Sequence, residues 1–259
     1  MLILVDRALN DIRAGFGMHR VWMALAREDI GDSHRRTRLG PIWLLLNYLL
    51  FVLTLIYIFG GERPNYAVYV ACGLLAWNFI SETITQSVQL FITEQAFIKG
   101  TVLPLFVYVM RQTMRTVIRA GYGLIGLVIV IVIVGHPLTA ALLYTIPAMV
   151  LLVLAAPAVS IILAILGALI PDLNFFIMNF MRLAFFLTPV FWYPGKNDFR
   201  QVLYDGNPMT HYIDIFRSPI VDGVLPVQSW QVSLAATVVL WAIAILLLGA
   251  YRRKIVFLL

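Results

Sequence analysis

Residues 41–59 read PIWLLLNYLLFVLTLIYIF, an apolar run without one charged side chain. A helix of roughly 20 apolar residues crosses a hydrocarbon core of about 30 Å. Pro41 suits the first helical position, where its missing N–H would have had no partner. Lipid offers backbone amides nothing to bond, so a chain that crosses it does so as helices or as a closed barrel. The pattern then repeats. Tyr66 to about Phe91 is a second apolar stretch, interrupted by Asn78, Ser81, Glu82, Thr83, Thr85 and Gln86. Further stretches run from about Val117 to Val134, Thr139 to Ile170, Leu173 to Tyr193 and Trp230 to Ala250. The fourth contains Pro147 and Pro157 and reads as kinked or tilted. Gly60-Gly61-Glu62-Arg63-Pro64-Asn65, Gly135-His136-Pro137 and Pro171-Asp172 are the tight turns. The expected fold is an all-α membrane protein of six transmembrane helices, one domain over residues 1–259.

Composition agrees with this reading. Of 259 residues, 61% are hydrophobic and 12% charged, and the mean hydropathy is +0.90. A soluble domain is about 25% charged, so soluble, disordered and fibrous classes are excluded. Lys and Arg number 19 against 13 Asp and Glu, a net charge of +6. With so little polar surface, that balance points to topology and anionic headgroups as its reason, not nucleic acid. If both termini are cytoplasmic, fourteen of the basic residues lie inside and four outside, with Arg182 within the fifth span. The bias favours that orientation. Cys72 is the single cysteine and reads as an inert buried thiol. Asp6 and Arg7 interrupt the opening apolar run too early for a secretory signal.

The remaining segments are polar and patterned. In the N-terminal segment, 1–41, Val5, Leu9, Ile12 and Phe16 make one helical stripe. Asp6, Arg7, Asn10, Asp11 and Arg13 occupy the other side, as in a helix lying on a membrane surface. Gly15 and Gly17 are expected to break or bend it; a second piece follows from Arg20 to about Ile30, then the basic run Arg35, Arg36, Arg38. Residues 93–116 form a polar connection with a short helix. Residues 194–229 hold two helical patterns, Phe199–Tyr204 and Pro208–Ser218, expected to dip back into the outer leaflet as short re-entrant helices.

No phosphate-binding G-x-x-x-x-G-K-[ST] sequence occurs, nor H-E-x-x-H or G-x-S-x-G, and the four histidines lack metal-ligand spacing. Glu82 is the main carboxylate within a span, open to either a structural or a transport role.

Four blocks together resemble the ABC-2 type permeases that export polysaccharides. They are Arg38-Leu39-Gly40-Pro41-Ile42-Trp43; Gly73-Leu74-Leu75-Ala76-Trp77-Asn78-Phe79-Ile80; Thr188-Pro189-Val190-Phe191; and Asn207-Pro208-Met209-Thr210 with Arg217. Between the second and third lies Glu94-Gln95-Ala96-Phe97-Ile98-Lys99, similar to the family's coupling segment, followed by Pro104. The chain departs from the family pattern in Pro171 before Asp172, where Arg is frequent, and in Gly100 after Lys99.

The resemblance implies a permease subunit in the bacterial inner membrane, not itself an enzyme. Two copies would form the path, with two copies of a separate ATPase that carries ATP and Mg; no cofactor is expected on this chain. Its substrate would be a lipid-linked glycan, O-antigen first, with capsular polysaccharide or teichoic acid as alternatives. An ATP-independent channel or scaffold is the competing class. The resemblance assigns Glu94, Gln95, Ala96, Phe97, Ile98 and Lys99 to ATPase docking. Aromatic rings stack on the apolar faces of sugars, so Trp77, Phe79, Phe185, Phe186, Trp192 and Tyr193 are path-lining candidates, against packing or lipid contact. Arg111, Arg115 and Arg119 repeat every fourth residue; they hold a pyrophosphate at the cytoplasmic mouth or anchor the helix by snorkelling. Asp214 and Arg217 are expected to pair on the outer helix, with Asn207 and Pro208 at its start.

Overall fold

The computed structural model describes residues 2–35, 37–60, 65–195 and 199–258. Arg36, residues 61–64 of the first expected turn and Lys196 lie outside them. The described residues form helices and connections, with no strand. Helix α1 is Leu2–Gly17, α2 His19–His34, α3 Ile42–Phe59 and α4 Tyr66–Val88. The short α5 (Leu90–Thr93) and α6 (Gln95–Gly100) lead into α7, Leu105–Val134. A 3₁₀ turn at Ala140–Tyr144 precedes α8, Thr145–Leu169; then come α9 (Leu173–Leu187), α10 (Phe199–Gly206), α11 (Pro208–Val221), α12 (Val227–Tyr251) and α13 (Ile255–Leu258).

Among the described residues, five segments are long and apolar enough to cross a membrane: α3, α4, α7, α12, and α8 with its preceding turn. Helix α9, the expected fifth span, has 15 residues. At 1.5 Å per residue that is about 22 Å, short of a hydrocarbon core. It stops at Leu187 because Pro189 follows, and a residue before proline is held out of the helical region.

Helix α4 sits at the centre, packed against α3, α7, α8, α9 and α11. Its buried side is continuous from Tyr66 to Trp77. Gly73 lies against the backbone of Val190, where an added Cβ would stand 2.6 Å from the carbonyl oxygen. The glycine of the second sequence block therefore admits the chain returning after α9. Tyr48 closes the α3–α4 contact by donating to the Ala71 carbonyl at 2.7 Å, and Cys72 is buried beside it.

Helices α1 and α2, α5, α6, the start of α7 and the ends of α12 and α13 gather at one end, here called proximal, around Phe91, Phe106, Ile165 and Leu248. This end differs from the sequence reading in three ways. First, α1 runs unbroken through Gly15 and breaks only at Gly17, before α2. Gly15 is there for contact, since a Cβ would meet Phe106 at 2.8 Å. Second, the stripe that α1 buries is Ala8, Asp11 and Gly15, while Phe16 is exposed. Asp11 accepts from the free N–H groups of Phe106 (3.0 Å) and Leu105 (3.4 Å) at the start of α7 and pairs with Arg252 at 2.6 Å. A helix N-terminus favours an acceptor and a negative charge, which is why a carboxylate is found on the buried side. Burial raises its pKa, opposed by those N–H groups and by Arg252. Third, α7 begins at Leu105, so all three stripe arginines lie on one continuous helix.

Candidate functional site

The candidate coupling segment, residues 94–99, is part buried and part open. Ile98 is buried in the proximal core, and Glu94 is buried beside it. Ala96, Phe97 and Lys99 face outward. Phe97 is 57% exposed, Ile92 is exposed as well, and Val102 is fully exposed just beyond α6. Ile98 is therefore the internal anchor. Phe97, Ile92 and Val102 are the exposed large apolar side chains of this segment, and spacing alone did not single out the last two.

Arg111 fastens this segment to the N-terminal helices. Its guanidinium donates to both oxygens of Asp29 on α2, at 2.6 and 2.8 Å, and to Glu94 at 2.8 Å. The planar fork suits such two-pronged contact. Trp22, Ala26 and Ile30 bury the same side of α2, which packs on α7. Burial raises the pKa of Glu94, and Arg111 pulls it back. A double-mutant cycle of Asp29→Asn with Arg111→Gln is expected to give a coupling of about 1–3 kcal/mol. Thermal unfolding of the four proteins measures it, and additive effects would reduce the contact to a surface pair.

The fully exposed residues from Asn78 to Gln89 are polar and share one side, while Ile80 and Ile84 are half-buried on another. Asn78, Gln86 and Gln89 are exposed, with Ser81, Glu82 and Thr85 half-buried between them. The spacing is helical, so these residues form one line down the helix. Arginines of α7 flank it. Arg119 pairs with Glu82 at 2.5 Å. Arg115 reaches Gln86 at 3.5 Å and Asp29 at 3.7 Å, and is held more loosely than its neighbours. The Nε–H groups of Arg115 and Arg119 are buried without a partner.

Two clefts open on this stripe and share Thr85. One, of about 210 Å³, is lined by Gln86, Gln89, Arg111, Arg115 and Asn174. The other, of about 490 Å³, is lined by Asn47, Phe51, Asn78, Glu82, Thr116 and Arg119. Its ion pair lies midway along α7, with Arg119 about 21 Å from Leu105. A groove with amides, hydroxyls, an ion pair and aromatic edges can hold a hydrated polar group and cannot face hydrocarbon without cost.

The aromatic candidates divide. Trp77 and Phe79 are buried in the main core. Phe185 lies 5.7 Å from Trp77 and 5.4 Å from Phe191, ring to ring. Phe186 is exposed. Tyr193 stacks on Tyr69 at 3.9 Å, and the Trp192 carbonyl accepts from the Tyr69 hydroxyl at 2.8 Å. Most of this set fastens the segment after α9 to the distal end of α4, and Phe186 alone is open. In α4 the polar residues between the aromatics are the exposed ones.

Asn207 caps α11 by accepting from Met209 N–H at 3.0 Å, with Pro208 next in line. From Thr210 to Ile220 the helix is buried on all sides. Arg217 is 3% exposed. It donates to the Pro189 carbonyl at 2.6 Å, lies 4.0 Å above the Tyr69 ring and stands 3.9 Å from Asp214. Asp214 accepts from Ser218 and Ser229, both at 2.8 Å. The expected pair, open as a gate-ordering contact or a local surface pair, is thus a buried joint among α4, α11, α12 and the turn after α9. It also gives Pro189 a part beyond ending a helix.

The family model described as ABC-2 type transporter matches residues 20–221. An O-antigen export system permease protein RfbA of Klebsiella pneumoniae is 25% identical over 212 residues, 78% of this chain and 81% of its own length. A permease of the same name from Myxococcus xanthus is 25% identical over 248 residues, 85% of this chain and 88% of its own.

Proposed function

The chain belongs to the ABC-2 type transporter family, and from that premise we propose that it is the membrane subunit of an exporter of lipid-linked polysaccharide, O-antigen first. The names of its relatives favour O-antigen over capsular or teichoic polymers. One observation carries the transport reading: the side of the central membrane helix that bears exposed Asn78 and Gln86, with half-buried Glu82 between them and exposed Gln89 just past its end, is polar. Such a stripe belongs against water, so the chain is completed around it by a second copy, and the two together enclose a path.

In this arrangement the proximal end is cytoplasmic and both termini lie there, as the excess of basic residues at that end favours. Helix α9 and the segment after it make the sixth crossing, and α10 and α11 dip in from the outer side. Exposed Phe97, Ile92 and Val102 dock a separate ATPase subunit, which supplies ATP and Mg. Arg111 is engaged by Asp29 and Glu94 and acts as a clamp. That leaves Arg115, loosely paired and lining the cleft, as the first contact for a diphosphate at the cytoplasmic mouth.

Purification from mild detergent is expected to bring down an ATPase with this chain in equimolar amount. A preparation that moves polymer with no ATPase bound would overturn the proposal in favour of a channel.

A further inference from the structure

Helix α9 buries Met181 and Ala184 and leaves most of its surface open. Apart from Met178, the exposed residues from Phe175 to Leu187 fall on two adjacent faces. Phe176, Phe180, Leu183 and Leu187 form one, wholly apolar, with the rings of Phe176 and Phe180 stacked at 6.2 Å. Phe175, Asn179, Arg182 and Phe186 form the other, at steps of four, three and four residues. Arg182 is the one charged residue of this helix, is exposed, and among the described residues makes no hydrogen bond or ion pair. An arginine in a membrane helix faces a water-filled cavity or a partner, because hydrocarbon cannot solvate it. The other face suits lipid. The helix also touches the polar space already described, since Asn174 in its first turn lines the cleft that holds Arg115.

We propose that the Phe175–Asn179–Arg182–Phe186 face lines a water-filled path, and that Arg182 with Asn179 is a binding station for an anionic group about halfway across the membrane. It lies about 13 Å along α9 from Leu173, beyond the arginines of the cytoplasmic mouth. The ligand is the diphosphate of a lipid carrier or the carboxylate of an acidic sugar, for which a guanidinium offers paired donors. Phe175 and Phe186 stand on either side along the same face and present flat apolar surfaces to neutral sugar. The assignment rests on the export reading for its substrate class but not for its geometry.

The test uses the full chain with its copurifying partners in vesicles, with Cys72→Ala removing the single native thiol. Cysteines placed one at a time at 179 and 182 are expected to react with a charged, membrane-impermeant methanethiosulfonate at least tenfold faster than cysteines at 176 and 183. Equal rates at all four positions would overturn the water-filled placement. With cysteine at 179 and Arg182 retained, inorganic pyrophosphate or glucuronate is expected to slow labelling several-fold. Protection by the first assigns the lipid diphosphate, and by the second the acidic sugar; protection by neither overturns the anion site. Arg182→Lys is expected to keep the protection and Arg182→Gln to lose it. Equal protection with Gln would also overturn the site. Labelling does not depend on export, so a chain found with no ATPase would fail the export reading and leave this pattern readable.

Discussion

Replacing Phe97 with Asp is expected to abolish export while leaving the chain folded and inserted. The ring is 57% exposed, so little of the protein's own packing depends on it. Its neighbour Ile98 is buried and holds the segment to the proximal core, and Arg111 holds Glu94 from the other side at 2.8 Å. The segment should therefore keep its shape when the ring is lost. What is lost is an aromatic anchor at a contact, and the largest such effects exceed about 2 kcal/mol, a factor of roughly 30 in affinity. Aspartate adds a charge that must be desolvated on docking, so the effect should be larger still. The readouts are the ATPase recovered with the chain and the polymer at the cell surface, both expected to fall more than tenfold. Unchanged recovery and export would remove the docking assignment. Ile98→Asp is the contrasting variant: it places a charge in the core and should lower the amount of folded chain instead.

Loss of Arg217 is expected to damage the fold itself. Its guanidinium serves the Pro189 carbonyl, the Tyr69 ring and Asp214 from a site only 3% exposed. Arg217→Met has similar length and keeps the packing, but it leaves the Pro189 carbonyl without its donor and the buried Asp214 carboxylate without its counter-charge. Breaking one partner of a buried pair costs about 3–5 kcal/mol, a large share of the roughly 5–15 kcal/mol that holds a typical domain together. The unfolding midpoint in detergent should drop markedly and the yield of inserted chain should fall. Arg217→Met combined with Asp214→Asn should recover part of the loss, because the uncompensated charge is gone. A midpoint within one degree of the unaltered protein would show that the joint contributes little. Arg217→Lys should fall between, keeping the charge but not the fork.

These two residues differ in how far sequence could place them. Residues 94–99 read as a coupling segment in one dimension, and the short helix over Gln95–Gly100 agrees. Which of its side chains point outward depended on the proximal core, through the burial of Ile98 and Glu94. Asp214 and Arg217 read as neighbours at i, i+3, which fits an exposed pair as well as a buried one. Only the packing of α11 against α4 and α12 put them inside. The same holds for α1, where the apolar stripe pointed to Phe16 and the buried side is instead Ala8, Asp11 and Gly15. A small-residue side lets helix backbones approach, and an acid there is satisfied by the start of α7, 94 residues away in sequence. Local periodicity registers hydrophobicity and is blind to such a distant donor.

By itself the sequence determined the class of the protein: long apolar runs such as residues 41–59 leave a lipid-embedded backbone no form but the helix, and ordered motif blocks pointed to a family of permeases. It also located most helix starts, at Pro208 and close to Pro41, because proline and side-chain caps act on their nearest neighbours. Tertiary structure decided which way each helix turns. In α4 the aromatic residues went inward with Thr83 and Ser87, and Asn78 and Gln86 went outward, since α3, α7, α8, α9 and α11 pack around it. Arg111 became a clamp and Arg115 was left loosely held, since Asp29 and Glu94 reach one and only Asp29 approaches the other. Facing and pairing depend on residues far apart in the chain, and no spacing within a single helix carries that information.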